Sequence, residues 1–257
     1  MPPRDGAGWR TRRTCGILRT VNAPAPQIQD EPLDGVIKFT AEHTSGPLSE
    51  TQYGSLAAAL IAWRTLFAHV GAIGQENARY GGVGFGNVSG RVGPFPGGPG
   101  ARPFLITGTQ TGGHDCLSLA EFCVVSTWHL GRNRVSSRGD ILPSSESMTH
   151  GAIYDLGPHI RYVFHGHCPV LWRNARELSL PITDRRVAYG TPAMATEVAR
   201  LYRETPLAEQ RLLAMGGHED GVIAFGRTAE EAGNAFTAGL TRAYALSYTA
   251  AGRLCRR

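Results

Sequence analysis

The chain has 257 residues, 42% of them hydrophobic, which is enough for one sizeable core and gives no sign of a second domain. Its formal net charge of +5 comes from its ends, because residues 1–20 hold five arginines and one aspartate and residues 253–257 hold three arginines. The body between them is slightly acidic and contains no apolar run long enough to span a bilayer, which argues against a membrane-spanning protein. A basic tail that contacts nucleic acid or a membrane surface is an open alternative, but a solvated, disordered tail is the favoured interpretation.

The five cysteines are scattered, odd in number and without CxxC spacing, which predicts a reduced, cytoplasmic protein. Residues 1–34 are rich in proline, arginine and glycine and carry no periodic pattern, so they are predicted to form a flexible extension. This segment lacks the apolar core of a secretory signal, and its Arg-rich character comes without the amphipathic period of a transit peptide. Residues 35–257 are predicted to form a single domain.

Helical and strand patterns alternate along this domain. The first predicted element is a helix from Leu48 to Ile73 opening at Ser49, and the glycine-studded segment Tyr80–Arg91 leads towards a strand. Three further strands are predicted before residue 140: Phe104–Ile106, which returns from the Gly/Pro loop at 94–103, Cys123–Ser126 and Arg134–Ser136. The elements predicted after it are a helix capped by Ser144 or Ser145 and ended by Gly157-Pro158, a strand Ile160–His167, a helix from Thr191-Pro192, and a last helix opened by Thr228-x-x-Glu231 that ends near Gly252. This mixture predicts an α/β fold, a three-layer α/β/α sandwich.

The residues that most clearly indicate a functional site lie around one predicted strand. His165 and His167 are separated only by Gly166, so they point to the same face of that strand, and Glu146 lies in the first turn of the preceding helix. Two imidazoles on a rigid strand and a nearby carboxylate make most of a metal site. The alternative interpretation, two polar residues on a solvated face, fits poorly with the aromatic and apolar residues that surround them. His218, in a glycine-rich turn before an apolar strand, is the third candidate ligand.

The lysine content bears on mechanism. Lys38 is the only lysine, and it lies in a poorly patterned N-terminal region. Carbonyl chemistry through a Schiff base needs a desolvated lysine in the active site. The scarcity of lysine therefore favours a metal for any aldol-type reaction.

Five motifs occur in the order and rough spacing of one known family. They are Gly86-Asn87-Val88-Ser89, Leu105-Ile106-Thr107-Gly108-Thr109, Pro143-Ser144-Ser145-Glu146, His165-Gly166-His167 and Gly217-His218. Over about residues 50–250 the chain resembles the class II aldolase/adducin family, and within it the fuculose-phosphate and ribulose-phosphate type enzymes. The resemblance implies an α/β/α sandwich around a mixed, largely antiparallel sheet. It also implies active sites at subunit interfaces in a symmetric homo-oligomer, a tetramer.

The resemblance assigns roles to the metal-site residues. It implies that His165, His167 and His218 hold a divalent metal, with zinc as the family default and manganese, iron or cobalt fitting three imidazoles nearly as well. It implies that Glu146 moves the proton at the bond that is made or broken. The alternative for Glu146 is an exposed first-turn glutamate stabilised by the helix dipole.

The resemblance also implies a pocket for phosphate or carboxylate, formed by glycine turns, hydroxyls and a helix N-terminus. Ordinary capping and turn chemistry is the alternative interpretation. Four positions match the family's phosphate-binding residues directly, and the Thr-Gly pair matches in one of two alignments of residues 107–113. The residues of this predicted pocket are Gly86, Asn87, Thr111, Gly112, Ser144 and Ser145.

One departure affects the predicted reaction. Sugar-phosphate aldolases of this family supply a tyrosine general acid from a longer segment after the His-x-His motif, and that segment is short here. Tyr189, Arg173 and Glu177 are the candidates to replace it. The remaining histidines, among them His150, are interpreted as structural or surface residues.

The predicted function is a metal-dependent aldehyde-lyase of carbohydrate metabolism. It acts on a small hydroxylated carbonyl compound or sugar phosphate through a metal-stabilised enediolate. Three alternatives stay open: an epimerase or dehydratase of the same fold, a non-haem iron oxygenase on the same scaffold, and a non-catalytic, adducin-like interaction module.

Overall fold

The computed structural model describes residues 37–95 and 97–254. The predicted extension at residues 1–34 and its boundary with the domain lie outside these residues, so that division of the chain stays a prediction. Within the described part of the chain, the cysteines Cys116, Cys123 and Cys168 are free thiols. No helix in that part is both long and apolar enough to cross a membrane.

Eight strands of the described residues form one mixed sheet. They are β1 (Thr40–Ser45), β2 (Asn87–Arg91), β3 (Phe104–Thr107), β4 (Phe122–His129), β5 (Arg134–Gly139), β6 (Tyr162–His167), β7 (Leu212–Ala214) and β8 (Gly221–Gly226). Their order across the sheet is β1-β5-β4-β3-β2-β6-β8-β7. Only β1 and β5 pair in parallel, and every other neighbouring pair is antiparallel. The predicted mixed, largely antiparallel sheet is confirmed.

Helices cover both faces of this sheet. They are α1 (Glu50–His69), α2 (Ser147–Asp155), α3 (Pro169–Arg173), α4 (Pro192–Glu204), α5 (Leu207–Gln210) and α6 (Ala229–Leu254). α1, α3 and α6 contribute to one hydrophobic core, whereas α2, α4 and α5 contribute to the other. Successive strand residues enter opposite cores, as Val163 and Phe164 do on β6, because side chains alternate across a strand. The predicted three-layer α/β/α sandwich is confirmed.

Several helix ends follow local sequence signals. α1 begins after Ser49, as predicted, but it ends at His69 rather than Ile73, because Gly71 adopts a left-handed backbone conformation with φ +71°. The Thr191 hydroxyl accepts a hydrogen bond from the Met194 amide at 3.3 Å and thereby caps α4. At the start of α6, the Thr228 hydroxyl likewise accepts a hydrogen bond from the Glu231 amide at 3.1 Å.

The start of α2 differs from the prediction. Glu146 lies at the N-cap position itself, and the helix begins at Ser147, so neither predicted serine caps it. The Ser144 hydroxyl instead accepts from the Glu146 amide at 3.3 Å, and the Ser144 carbonyl accepts from the Ser147 amide at 3.0 Å. These bonds form a tight turn that leaves the Glu146 carboxylate at the helix entrance.

The sequence analysis also missed the edge strand β1. Its residues Thr40–Ser45 are mostly polar, and its one apolar residue, Ala41, is only partly buried against the core, so no alternating apolar pattern marks it. The strand forms because it pairs in parallel with β5, from Thr40 opposite Arg134 to Ser45 opposite Gly139. The formation of β1 therefore depends on its pairing with a distant part of the chain rather than on its own sequence pattern.

Candidate metal centre

The three predicted histidine ligands come together at one end of the central strands. β6 carries His165 and His167 on one face, and β6 pairs with β8, whose first residue lies opposite His167. His218 is in the turn that enters β8, so this pairing delivers it to the same place. The nitrogen atoms that could act as ligands all lie within 4.8 Å of one another, and all three residues are buried.

The donor set fits a divalent metal. The Nδ1 atom of His165 lies 3.1 Å from the Val222 carbonyl, which can only accept, so Nδ1 carries the hydrogen and Nε2 keeps its lone pair for a ligand. Burial lowers the pKa of His165 to about 4 and lowers the pKa values of His167 and His218 well below their ordinary range. All three imidazoles are therefore neutral near pH 7, which is the state that metals bind.

Glu146 lies directly beside this cluster. Its side chain is almost fully buried, and its Oε1 atom lies 3.6 Å from Nε2 of His218. The turn that precedes α2 fixes its backbone, because the Glu146 amide is bonded to Ser144. The carboxylate that is predicted to transfer the proton therefore lies next to the histidine cluster.

The predicted anion-binding residues line one small cavity. Antiparallel pairing of β2 with β6 places Asn87 opposite His165, so the glycine turn before β2 opens beside the histidines. Gly86 has φ +77°, and a Cβ there would lie 2.6 Å from the Ile73 side chain, so glycine is required. Residues 108–112 all line this cavity, so both alignments of residues 107–113 place part of the motif there. Glu146 and His165 also line it. The predicted residues that line it are Gly86, Asn87, Thr111, Gly112, Ser144 and Ser145.

Of the three candidates to replace the family tyrosine, the structure brings one to the site. The Tyr189 ring is buried, and its centroid lies 4.5 Å from that of His218. Arg173 and Glu177 are both exposed. His150, which has no predicted role, is buried behind the site and lies 2.7 Å from the Ser89 hydroxyl through its Nδ1 atom.

A tyrosine that the sequence analysis missed packs on the second histidine ligand. The Tyr80 ring lies 4.4 Å from the His167 ring, centroid to centroid, and its hydroxyl donates to Oδ2 of Asp220 at 2.8 Å. Arg79 donates to the same hydroxyl at 2.9 Å. The glycine-studded segment around Tyr80 has no periodic pattern from which its role could be predicted. The only signal in the sequence is the position of Asp220, which lies two residues after His218.

The sole lysine also reaches the site, although the sequence pattern leaves it outside. The Nζ atom of Lys38 is buried and lies 3.4 Å from the centroid of the Tyr189 ring. Burial is the largest cause of the lowered pKa of His218, followed by the positive charge that His165 and then Lys38 can carry. The only lysine of the chain therefore lies close to the candidate metal centre, although the sequence pattern around it gave no sign of this.

These buried histidines predict how stability depends on pH. Unfolded histidines bind protons below about pH 6.5, whereas folded His165 stays neutral down to about pH 4 and His150 stays neutral well below 6.5. The unfolded state therefore binds more protons in this window, so the free energy of unfolding of the metal-free protein is expected to fall as the pH falls. Each buried histidine contributes up to about 1.4 kcal/mol per pH unit.

Urea unfolding of chelator-treated protein at pH 7, 6 and 5 measures this dependence. His150→Gln removes one of the buried groups and is expected to reduce the slope between pH 6 and 5, whereas the exposed His159→Gln is expected to leave it unchanged. A free energy of unfolding that stays constant from pH 7 to pH 5 would contradict the prediction.

The fold and the site together define a class of protein: an α/β/α sandwich with a three-histidine candidate metal centre and an adjoining glycine- and serine-lined cavity. The family model described as Class II Aldolase and Adducin N-terminal domain matches residues 74–243, and the chain belongs to this family. No curated protein matches the chain.

Solved structures with the same fold include enzymes of sugar-phosphate chemistry. L-fuculose-1-phosphate aldolase from Thermus thermophilus is 20% identical, with 78% of this chain and 96% of that chain covered and a TM-score of 0.57. A sugar-phosphate aldolase from Thermotoga maritima is 16% identical, with 77% and 97% covered and a TM-score of 0.58. YgbL from Escherichia coli, named as a candidate aldolase, epimerase or decarboxylase, is 17% identical, with 76% and 89% covered and a TM-score of 0.54.

Proposed function

We propose that the chain is a divalent-metal-dependent carbon–carbon lyase that acts on a small hydroxylated carbonyl compound, with or without a phosphate group. The observation that carries this proposal is the meeting of three buried, neutral imidazoles with the Glu146 carboxylate, 3.6 Å from His218, in one enclosed place. Zinc is the proposed metal, and manganese, iron or cobalt would also suit these donors. A homotetramer in the cytoplasm is part of the same proposal.

The metal, when bound by His165, His167 and His218, supplies a Lewis acid that polarises a carbonyl or hydroxyl oxygen of the substrate. The rest of the chemistry belongs to the side chains of the chain itself. Burial keeps water away from the reacting atoms, and Glu146 takes or returns the proton at the substrate carbon or hydroxyl next to the bond that changes.

The cavity next to His165 supports an anionic substrate end. Backbone amides in the glycine turns and the hydroxyls of Ser144 and Ser145 are donors suited to a phosphate or a carboxylate. An anion held there would fix the distance between the carbonyl group and Glu146. The names of the two aldolases with the same fold, both of which refer to sugar phosphates, support this choice of substrate class.

A substrate panel tests the proposal. Metal-loaded protein would be incubated with phosphorylated and unphosphorylated ketoses and hydroxyaldehydes, and released aldehyde would be measured by reduction with a coupled dehydrogenase. Aldehyde release that needs the metal and is lost in Glu146→Gln is the expected result. A change of configuration without aldehyde would favour an epimerase, loss of water a dehydratase, and oxygen consumption by iron-loaded protein an oxygenase. Protein that binds no metal after reconstitution would favour the interaction module.

A further inference from the structure

One arginine occupies a buried position on the inner face of α1. The buried residues of this helix are Ala57, Leu60, Arg64 and Phe67, and their spacing of three and four residues is that of an apolar stripe. Arg64 is only 4% exposed. A guanidinium is costly in such a place unless it is hydrogen-bonded, so the bonds of Arg64 indicate why the residue is there.

Arg64 holds the loop that forms one wall of the anion cavity. Its Nη2 atom donates hydrogen bonds to the Thr111 carbonyl at 3.1 Å and to the Gly112 carbonyl at 2.7 Å. Thr111 and Gly112 line the cavity, whereas Arg64 lies in a separate groove that Gly112 and Gly113 also border. The loop therefore separates the cavity from the groove, and its carbonyl groups face the groove.

The peptide unit between Thr111 and Gly112 has its amide on the cavity side. The carbonyl and N–H groups of a trans peptide point in opposite directions, and this peptide bond is trans. Because the Thr111 carbonyl points to Arg64, the Gly112 N–H points away from it. Gly84, which also lines the cavity, lies close to that amide, since a Cβ at residue 84 would be 3.3 Å from the Gly112 nitrogen.

The Gly112 amide is available to a ligand. Gly112 is buried, and no group in residues 37–95 and 97–254 accepts a hydrogen bond from its amide. Nearly all buried backbone amides in proteins are hydrogen-bonded, so a buried donor of this kind in a cavity wall indicates that a ligand supplies the acceptor. The acceptor that suits an amide in a glycine turn is an oxygen of an anion.

The charge of Arg64 has a counterpart in the groove. Burial lowers the pKa of Arg64, and the negative charges that Asp115 and then Cys116 can carry oppose this shift. Asp115 is exposed and borders the same groove. Its carboxylate partly balances the guanidinium, so the main effect of Arg64 on the cavity is the direction that it gives to the peptide unit.

We propose that Arg64 is a positioning residue that turns the Gly112 amide into the cavity, where this amide donates a hydrogen bond to an oxygen of a bound phosphate group. Arg64 itself does not touch the ligand, because the loop lies between them. The inference rests on the anion-binding part of the proposed function, and it depends neither on the metal nor on the type of reaction.

The sequence allows this amide to be observed almost alone. The dipeptide Thr-Gly occurs only at residues 107–108 and 111–112. Protein labelled with ¹³C at the threonine carbonyl and ¹⁵N in glycine therefore gives two amide signals when NMR selects directly bonded ¹³C–¹⁵N pairs. In zinc-loaded protein, inorganic phosphate is expected to move the Gly112 signal downfield. The Gly108 amide is the internal control, because it donates to the Glu121 carbonyl at 2.8 Å, and its signal is expected to move far less.

The same titration gives the phosphate affinity of variants. Arg64→Met is expected to weaken phosphate binding about tenfold, the value of one hydrogen bond to a charged group, and to keep the full zinc content. Arg64→Lys is expected to recover most of that loss, because a single nitrogen atom makes both bonds to the loop and a lysine also supplies one.

The control variant is Asp115→Asn, which changes the charge beside Arg64 and leaves the two bonds to the loop in place. It is expected to change phosphate affinity less than about twofold, as usual for an exposed charge. A tenfold gain in this variant would mean that charge rather than peptide direction acts, and it would overturn the proposal. Unchanged phosphate affinity in Arg64→Met would overturn it too, as would loss of zinc together with phosphate, which would indicate a merely structural role.

The wild-type spectrum decides the matter even if Arg64→Met does not fold. A Gly112 signal that stays in place while phosphate saturates the protein would overturn the proposal. A wild-type protein that binds no phosphate would overturn both this inference and the anionic substrate end. Metal-dependent release of aldehyde from an unphosphorylated substrate would still support the proposed lyase activity in that case.

Discussion

His165→Ala is expected to lose the bound metal and, with it, all measurable activity. The substitution removes one of three nitrogen donors, and the remaining two imidazoles cannot complete the coordination that a stable site needs. A loss of affinity of about 100-fold or more is expected, since altering even the partners that orient metal ligands costs about 10- to 100-fold. Metal content by mass spectrometry on the purified protein is the measurement, with one equivalent expected in the wild type.

The matched control for this experiment is His69→Ala. His69 is exposed near the end of α1, and its Nδ1 atom lies 2.8 Å from the Thr65 carbonyl of the same helix, away from the cluster. This variant is expected to keep a full equivalent of metal. Equal metal content in His165→Ala and the wild type would show that the three histidines are not the binding site.

Glu146→Gln is expected to keep the metal and to lower kcat by about 10²- to 10⁴-fold, the usual contribution of general acid–base catalysis. The amide has the shape of the carboxylate but cannot accept and return a proton, and Glu146 is not one of the three clustered ligands. Because the buried side chain stays nearly the same size, the fold is expected to be retained. Steady-state rates and metal content of the same preparation measure the two effects separately.

Glu177→Gln is the control for that variant, because Glu177 is an exposed residue outside the site. Its rate is expected to match the wild type. A Glu146→Gln protein with full activity would remove the carboxylate from the mechanism. Loss of metal in that variant would instead indicate that Glu146 helps to hold the ion.

Short motifs made much of the site predictable. His165 and His167 share a face because the period of a strand is two residues, and the turn at Ser144 and Ser145 lies next to Glu146 in the sequence. The structure brings these residues to one place together with His218. Even here, local hydrogen bonds place Glu146 at the N-cap and start α2 at Ser147, which is one or two residues later than capping patterns predict.

Residues without a local pattern could not be predicted. Lys38 comes from a polar segment before an edge strand, and Tyr80 comes from a glycine-studded loop in which it adopts φ +49°. Their roles depend on what they contact, Tyr189 in one case and His167 and Asp220 in the other. Such contacts join parts of the chain that are far apart in sequence and leave no periodic trace.

The sequence by itself determined the candidate donor groups, the family and the layered α/β/α fold, because the spacing of apolar residues and short motifs fixes local backbone structure. Only the tertiary structure decided which distant side chains surround the histidines. Pairing of β6 with β8 and of β1 with β5 sets those neighbours, and the register of a sheet is a property of two strands rather than of either one. The place of Lys38 beside Tyr189 is the clearest case, since nothing near residue 38 in the sequence refers to residue 189.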